Sequence, residues 1–122
     1  MVDRDKSSWI KWKMESKYLR LTPSLRETLD LFLNGNDLEK ISKVKGVNME
    51  TVERYIIELI SKSLIDVNDV LDSYKVEEIL NGINNENIVS LKEIYNFFGE
   101  GYSYFEIKCV LAKLSAEPEH IK

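Results

Sequence analysis

Apolar residues recur three or four positions apart along most of the chain, which is the spacing of amphipathic helices. The first clear set starts at Thr22, which can cap a helix, and Pro23, which suits the first helical position. Ser24 and Glu27 match an S-x-x-E capping box. Gly35 is placed to end this helix in a left-handed conformation. The apolar face consists of Leu25, Leu29, Phe32 and Leu33.

Two further apolar sets follow, separated by a glycine. The first opens at Asn36 or Asp37, and the second is capped by Asn48. Gly46 supplies a tight turn between them, for which we expect a positive φ. Two apolar faces with a small residue between them predict a helix-turn-helix over residues 37–64. The apolar positions are Leu38, Ile41 and Val44 in one helix and Val52, Ile56, Leu59 and Ile60 in the other.

The residues after this unit allow two interpretations. Leu64, Ile65 and Val67 can form a short extended piece, which would make a minimal wing near residues 64–70, or they can lead directly into the next helix. We favour the second interpretation.

The second half of the chain is also predicted to be helical. One apolar face runs through Val76, Ile79, Leu80 and Ile83. Gly82 and the pair Asn84-Asn85 are expected to break it. Two more S-x-x-E boxes start helices, Ser90 with Glu93 and Ser103 with Glu106. Gly99 and Gly101 are expected to end the helix between them, whose apolar positions are Leu91, Ile94, Tyr95, Phe97 and Phe98. The last helix carries Ile107, Val110, Leu111 and Leu114.

The fold class is therefore all-α, with five to six short helices that contain a winged-helix-like helix-turn-helix. The spacing of the second half repeats that of the first, with two extra residues in the second turn. Two stacked helix-turn-helix units are one explanation, and a chance match between short amphipathic helices is the other. The matched series are Leu38, Ile41, Val44, Gly46, Asn48, Val52 and Leu91, Ile94, Phe97, Gly99, Ser103, Ile107.

Charge divides the chain unevenly. Residues 1–20 hold six basic and three acidic side chains, a net +3, whereas residues 21–74 are at −4 and the remainder is at −3. We predict a basic aromatic N-terminal arm or linker at residues 1–20, a helix-turn-helix domain at residues 21–116 and a tail at residues 117–122. The whole chain has a net charge of −4, which argues against nucleic-acid binding by bulk electrostatics.

Several classes of protein are not expected. No apolar run approaches the roughly 18 residues that span a bilayer. The single cysteine, Cys109, fits a small core residue in a reducing compartment. His120 is the only histidine and has no cluster of metal-ligating residues around it. No glycine-rich phosphate loop or nucleophile-base set is present. We expect a cytoplasmic protein (nucleoid-associated, or nuclear if eukaryotic) with no catalytic residues, cofactor, metal, membrane contact or small-molecule substrate.

The helix-turn-helix and the arm hold the candidate residues for binding DNA. Base contacts are expected at the start of the helix after Gly46, from Asn48, Met49, Glu50, Thr51 and Arg54. Phosphate contacts are expected from Lys40, Lys43 and Lys45, with Lys62 as a further candidate. Lys11, Lys13 and Lys17 of the arm are candidates too. Glu50 and Glu53 would face phosphates unfavourably, although a carboxylate can accept a hydrogen bond from cytosine.

Two tryptophans of the arm are open to two interpretations. Trp9 and Trp12 can stack on unpaired bases while the lysines contact the backbone. Alternatively, they pack on the domain and the lysines are solvated, which is the interpretation that we favour.

The stretch Ser24–Leu114 resembles the helix-turn-helix domain at the C-terminus of some RecQ-family DNA helicases. The matching motifs are T-L-x-L-F-x-x-G at Thr28–Gly35, L-E-x-I-S-x-x-x-G-V, T-V-E, and Y-x-x-I-K at Tyr104–Lys108. Ser42 departs from the pattern, because a small alanine is expected there. The helicase motor motif G-x-x-x-x-G-K-[ST] does not occur in the chain. The resemblance implies an accessory domain of a longer helicase, or a stand-alone relative, that positions DNA or recruits a partner.

We therefore expect DNA as the main partner, with a parent helicase or another protein partner as well. The rival hypotheses are a protein-interaction module whose acidic helices dock a basic partner, and a small transcription regulator that acts as a dimer.

Overall fold

The computed structural model describes residues 16–86, 90–98 and 101–116. From Pro23 onward this described part forms six α helices: α1 (Pro23–Leu33), α2 (Leu38–Lys45), α3 (Met49–Ser61), α4 (Ser73–Glu86), α5 (Leu91–Phe98) and α6 (Tyr104–Ala116). A 3-10 helix, Val67–Asp69, precedes α4, and residues 16–19 are helical as well. None of the described residues lies in a strand, which confirms the all-α class. The wing considered near residues 64–70 is therefore not formed.

The chain divides into two compact units, which we call the first unit (Met1–Tyr55) and the second unit (Ile56–Lys122). The boundary falls inside α3, after Tyr55. The first unit buries Leu21, Leu25, Thr28, Leu29, Ile41 and Val52. Within it, α1 packs against α2. Leu25, Leu29, Ile41 and Val52 were predicted on apolar faces, and Leu21 and Thr28 join them. The Thr28 hydroxyl donates to the carbonyl oxygen of Ser24 (2.8 Å). The predictions for Leu33 and Val44 are wrong, because both side chains are exposed.

The start of α1 corrects one prediction. Thr22 is the N-cap, and its hydroxyl oxygen accepts a hydrogen bond from the backbone N–H of Leu25 (3.3 Å). The capping box predicted at Ser24 and Glu27 is wrong, because Pro23 already occupies the first helical position and places Ser24 inside the first turn. The carboxylate of Glu27 is thereby free to bind another helix.

Glycine closes both α1 and α2 as predicted. Gly35 has φ of +97°, and its N–H donates to the carbonyl oxygen of Phe32 while Asn36 N–H donates to that of Leu31. Gly46 has φ of +68° and ψ of +33°, which confirms the positive φ expected at the turn. The hydroxyl of Ser42 donates to the carbonyl oxygen of Val47 (2.6 Å) and supports the same turn.

In the second unit, α6 packs against α4, α5 and the 3-10 helix. The core of this unit comprises Ile56, Leu59, Ile60, Ile65, Val67, Leu71, Val76, Ile79, Ile94, Ile107, Cys109, Val110, Ala112 and Ala116. Cys109 is fully buried there, in agreement with its interpretation as a core residue. The helix α4 continues through Gly82 to Glu86, so the predicted break at Gly82 and Asn84-Asn85 is wrong.

The two predicted capping boxes of the second unit have the expected serines at the N-caps. Ser90 accepts from the N–H of Glu93 (3.1 Å). Ser103 accepts from the N–H of Glu106 (3.2 Å), and the Glu106 carboxylate accepts from the N–H of Ser103 (3.0 Å), which completes the reciprocal pair. Gly99, expected to help end α5, lies outside the described residues.

The helix lengths repeat along the chain. The pair α2 and α3 has 8 and 13 residues, and the pair α5 and α6 also has 8 and 13. The fourth residue of each helix is buried in both pairs: Ile41 and Val52 in the first, Ile94 and Ile107 in the second. This correspondence favours two helix-turn-helix units in sequence over a chance match between short helices.

Candidate nucleic-acid interface

The start of α3 is held by its own cap. The Asn48 side-chain oxygen accepts from the backbone N–H of Thr51 (2.9 Å) and from the Thr51 hydroxyl (2.9 Å). These bonds satisfy an N–H group that the helix itself leaves without a partner. They also order the first turn, on which Met49 and Glu50 are exposed. The predicted base-contacting end of the helix is thus rigid and accessible, although the Asn48 oxygen is already used within it.

Arg54 lies one turn further along α3 and is exposed. Its guanidinium carbon is 5.7 Å from the centre of the Tyr55 ring. Contact with the ring restricts the long side chain and reduces the entropy lost if it binds a ligand. Glu50 lies four positions before Arg54, so both side chains project from one face of the helix.

Lys45, predicted to contact phosphate, instead contacts α1 within the first unit, through a glutamate whose side chain is 58% exposed. Its ammonium lies 2.9 Å from the Glu27 carboxylate and 3.3 Å from the carbonyl oxygen of Ser24. The same ammonium is 5.6 Å from the centre of the Tyr55 ring. Only 5% of its side chain is exposed. These contacts give Lys45 a structural role in joining helices.

The other two lysines of α2 are placed differently. Lys40 and Lys43 are both exposed, and neither forms an ion pair within the described part of the chain. Both lie on the helix that precedes α3, which crosses the phosphate backbone in helix-turn-helix proteins that bind DNA. Lys62, the further candidate, is exposed in the second unit and lies 3.9 Å from Glu58.

The end of the N-terminal arm is attached to α1. The Tyr18 hydroxyl donates to the Asp30 carboxylate (2.9 Å), and the Arg26 guanidinium carbon lies 5.9 Å from the Tyr18 ring centre. The hydrogen bond to Asp30 raises the pKa of Tyr18. Lys17 is half-buried and engaged in interactions of its own. Lys11 and Lys13, with Trp9 and Trp12, lie outside the described residues.

Sequence patterns did not identify Tyr55, Glu27 or Tyr18 as parts of this surface. Tyr55 serves as a platform for both Lys45 and Arg54. Glu27 was assigned to a cap, and Tyr18 was assigned to an arm without defined contacts. No local signal finds these roles, because each contact joins residues that are distant in sequence or depends on a side-chain direction.

The two units of the chain have net charges of opposite sign. The first unit contains eleven basic and nine acidic side chains and has a net charge of +2. The second unit contains six basic and twelve acidic side chains and has a net charge of −6. The positive charge of the first unit comes from residues 1–20, at +3, because residues 21–55 hold five basic and six acidic side chains and are at −1. The arm therefore supplies the charge that favours nucleic-acid binding.

Two short helices joined at a left-handed glycine, followed by an exposed and capped helix start, define a helix-turn-helix protein. A family model described as "Helix-turn-helix domain" matches residues 24–111. The chain belongs to this family of helix-turn-helix domains. No curated protein and no solved structure matches the chain. Among the described residues no helix is long and apolar enough to cross a membrane.

Proposed function

We propose that this chain is an accessory nucleic-acid-binding domain that uses the helix-turn-helix of its first unit. The proposal rests mainly on one observation, the ordered and exposed start of α3, which follows a helix with two exposed lysines. In the proposed complex, Met49, Thr51 and Arg54 contact base edges, and Lys40 and Lys43 contact phosphates. The parent protein is proposed to be a RecQ-like helicase or a stand-alone relative, on the resemblance described above.

The internal contacts of Lys45 refine the set of phosphate contacts. Moving its ammonium to a phosphate would break contacts to Glu27 and Ser24. Lys40 and Lys43 can reach a ligand without any such loss. We therefore assign direct phosphate contact to these two lysines and assign to Lys45 the task of holding α2 against α1.

The acidic residues of α3 are expected to lower affinity and to contribute specificity. A carboxylate at Glu50 repels phosphates, but it can accept a hydrogen bond from the amino group of cytosine. Arg54, one turn away, can bind guanine through two hydrogen bonds. The pair therefore suits a site with cytosine and guanine at neighbouring positions, and the arm lysines Lys11 and Lys13 supply additional nonspecific attraction.

The proposed role is binding and not catalysis. An ATPase activity, if the parent protein has one, would belong to a different part of that protein, because this chain has no phosphate-binding loop. Purified chain should not hydrolyse ATP with or without DNA. Turnover that is abolished by a point substitution in this chain would contradict this part of the proposal.

The test is fluorescence-anisotropy binding of single- and double-stranded oligonucleotides over a series of salt concentrations. The full chain is compared with Lys40→Gln/Lys43→Gln and with Lys11→Gln/Lys13→Gln. Each phosphate contact that is removed should lower the salt slope by about one. The matched control is Lys92→Gln/Lys108→Gln, which changes the same charge in the second unit and should leave the slope unchanged.

The outcomes separate the hypotheses. Loss of affinity in the α2 pair supports binding through the helix-turn-helix. Loss only in the arm pair would move the interface to the arm and contradict the assignment to α2 and α3. Absence of any salt-dependent binding would reject the function and favour a protein-docking module instead.

A further inference from the structure

The second unit presents large aromatic side chains to solvent. The exposed fractions are 59% for Tyr74, 49% for Phe97 and 45% for Tyr104. Single exposed apolar residues are common on proteins, but a set concentrated in one small unit is typical of a binding surface. Aromatic rings are also enriched at the energetic centres of protein interfaces. We call the surface formed by these three residues together with Tyr102 the aromatic face.

Ring contacts hold three of these four residues, in two separate groups. Tyr104 stacks on Tyr95, with ring centres 4.0 Å apart and planes within 9°. Phe97 meets Phe98 edge to face at 5.0 Å. Phe98 in turn meets Tyr102 edge to face at 5.4 Å. These geometries are favourable for aromatic pairs and hold the rings in defined orientations.

The packing beneath the face is close. A Cβ atom placed on Gly82 of α4 would lie 2.5 Å from Cζ of Phe98 and 3.2 Å from Cε2 of Phe97. The absence of a side chain at Gly82 therefore lets both rings rest on the backbone of α4. The rings that these contacts hold lose little side-chain entropy when they bind a partner.

Two carboxylates lie near Tyr74 and Tyr102 of the aromatic face. Glu77 and Glu78 lie three and four positions after Tyr74 and so share its side of α4. The Glu78 carboxylate accepts a hydrogen bond from the Tyr102 hydroxyl. That bond, with burial and the nearby charge of Glu78, raises the pKa of Tyr102 to about 12. The ammonium of Lys75 on the same helix lies 2.8 Å from the Glu106 carboxylate, which joins α4 to the start of α6 at this end of the face.

The lysine next to Tyr74, Lys75, forms an ion pair with Glu106. Lys75 lies 2.8 Å from Glu106, which leaves Glu77 and Glu78 as exposed acids beside the rings. Lys92 is exposed on α5, and Lys108 is exposed on α6 four positions after Tyr104, so it borders that ring. The acidic end of the face is therefore the one at Tyr74. With a net charge of −6, the second unit as a whole attracts cations.

We propose that the aromatic face docks an arginine-containing segment of a partner protein. A guanidinium group is planar, so it can lie flat on a tyrosine or phenylalanine ring while it forms two hydrogen bonds to a carboxylate. Tyr74 beside Glu77 and Glu78 offers both kinds of contact. The charge of the second unit complements such a segment. The residues of this site belong to the second unit, whereas the residues proposed to bind DNA belong to the first.

A nucleic acid fits the same surface poorly. Excess carboxylates repel phosphates, and counterion release supplies most of the affinity for nucleic acids. The correspondence between α3 and α6, which have the same length and both bury their fourth residue, gives a further reason against nucleic-acid binding here. Cys109 of α6 stands where Arg54 stands in α3, and it is fully buried. The second helix-turn-helix therefore lacks the side chain that would contact a base at this position.

The experiment is isothermal titration of the full chain with a synthetic dodecapeptide of alternating arginine and glycine. The same peptide with citrulline in place of arginine keeps the shape and removes the charge. We expect binding to the arginine peptide, weaker binding to a lysine version and none to the citrulline version. Tyr74→Ala and Glu77→Gln/Glu78→Gln should each weaken binding about tenfold. Tyr74 is the most exposed ring of the face, so its truncation should leave the fold intact, which a thermal melt verifies.

Leu33→Ala is the matched control, since Leu33 is an exposed apolar residue of the first unit and should not affect the peptide. Unchanged peptide affinity in both face variants would overturn the proposal. So would a loss of oligothymidylate binding in Tyr74→Ala, which would identify a nucleic-acid stacking surface, or a dimer that dissociates in this variant. The face variants should keep the oligonucleotide affinity of the parent, so that failure here is distinguishable from failure of the proposed DNA-binding function.

Discussion

The ammonium of Lys45 lies 2.9 Å from the carboxylate of Glu27. Glu27 belongs to α1 and Lys45 to the last turn of α2. The ring of Tyr55, from α3, lies beside the same ammonium. One lysine therefore contacts all three helices of the helix-turn-helix in the first unit. An ammonium with several defined partners and little solvent exposure contributes to stability more than an exposed ion pair does.

We predict that Lys45→Met lowers the free energy of unfolding by about 1–2 kcal/mol, because it removes charge-assisted hydrogen bonds and keeps the packing of the side-chain stem. Lys43→Met, at an exposed position of the same helix, should change stability by less than about 0.5 kcal/mol. DNA binding should show the reverse order, with the salt slope reduced only by Lys43→Met. Urea denaturation and anisotropy titration measure the two effects. A Lys45→Met protein with the stability of the parent and a reduced salt slope would contradict the internal role.

Substitutions at the two residues Gly46 and Ser63, which both have a positive φ, should change the stability of the protein in opposite directions. Gly46 has φ of +68°, and no atom lies within 4 Å of the position that a Cβ would take, so strain there comes from the backbone alone. We predict that Gly46→Val costs about 1–3 kcal/mol and Gly46→Asn clearly less. Ser63 has φ of +64° at the end of α3. Ser63→Gly should therefore stabilise the protein by about 0.5–1 kcal/mol.

Thermal melts of the three variants check this prediction in one series. The Ser63→Gly variant serves as the control for the Gly46 variants, because it shows that the assay resolves backbone effects of this size. A Gly46→Val melt that is identical to that of the parent would refute the strained turn. A destabilised Ser63→Gly protein would show that the side chain of Ser63 stabilises the fold more than its backbone strain destabilises it.

The sequence predicted best those features that depend on neighbouring residues. Gly35, Gly46, the caps Thr22, Asn48 and Ser103 and the buried face of α3 were all predicted correctly, because caps and amphipathic faces are defined within one or two turns. The ion pair between Lys45 and Glu27 was not predicted. A lysine counts as a polar position in an amphipathic helix whether its side chain is solvated or buried, so the sequence pattern does not distinguish the two cases. The role of this lysine is determined by another helix.

The ion pair between Lys75 and Glu106 should give the second unit a defined pH dependence. Burial alone would raise the pKa of Glu106, but hydrogen bonds from Lys75 and Ser103 outweigh it and lower the pKa below the ordinary 4.5. A lowered carboxyl pKa means stabilisation that is complete above the ordinary value and is lost as the pH falls through the folded value. We predict that Glu106→Gln keeps the capping box and costs about 0.5 kcal/mol at pH 7.

Urea denaturation of the parent and Glu106→Gln between pH 7 and pH 3 measures this effect. The difference between the two proteins should shrink as the pH falls below 4.5, because the parent then loses its charge at Glu106. Glu77→Gln is the control, since Glu77 is exposed on α4 and forms no ion pair within the described residues. A difference at Glu106 that stays constant down to pH 3 would contradict the coupling to Lys75.

Gly82 was expected to end a helix, yet α4 passes through it. The sequence shows only that a poor helix former stands at this position, and it does not show what lies opposite. In the structure, the rings of Phe97 and Phe98 occupy the space that a side chain would fill. The glycine therefore allows the close approach of α5 to α4, and its weaker helix propensity is offset by ring packing.

We predict that Gly82→Ala lowers the free energy of unfolding by about 1 kcal/mol, because displacing the Phe98 ring outweighs the better helix propensity of alanine. In a Phe98→Leu background the closest obstructing atoms are gone and the Phe97 ring, 3.2 Å from the new Cβ, remains. The same substitution should then be neutral or stabilise the protein by up to about 1 kcal/mol. Asn81→Ala, exposed on the same helix, is the control and should stabilise slightly in both backgrounds. Urea denaturation of the four proteins in this double-mutant cycle measures the coupling. If Gly82→Ala has the same effect in both backgrounds, the ring of Phe98 does not explain the glycine.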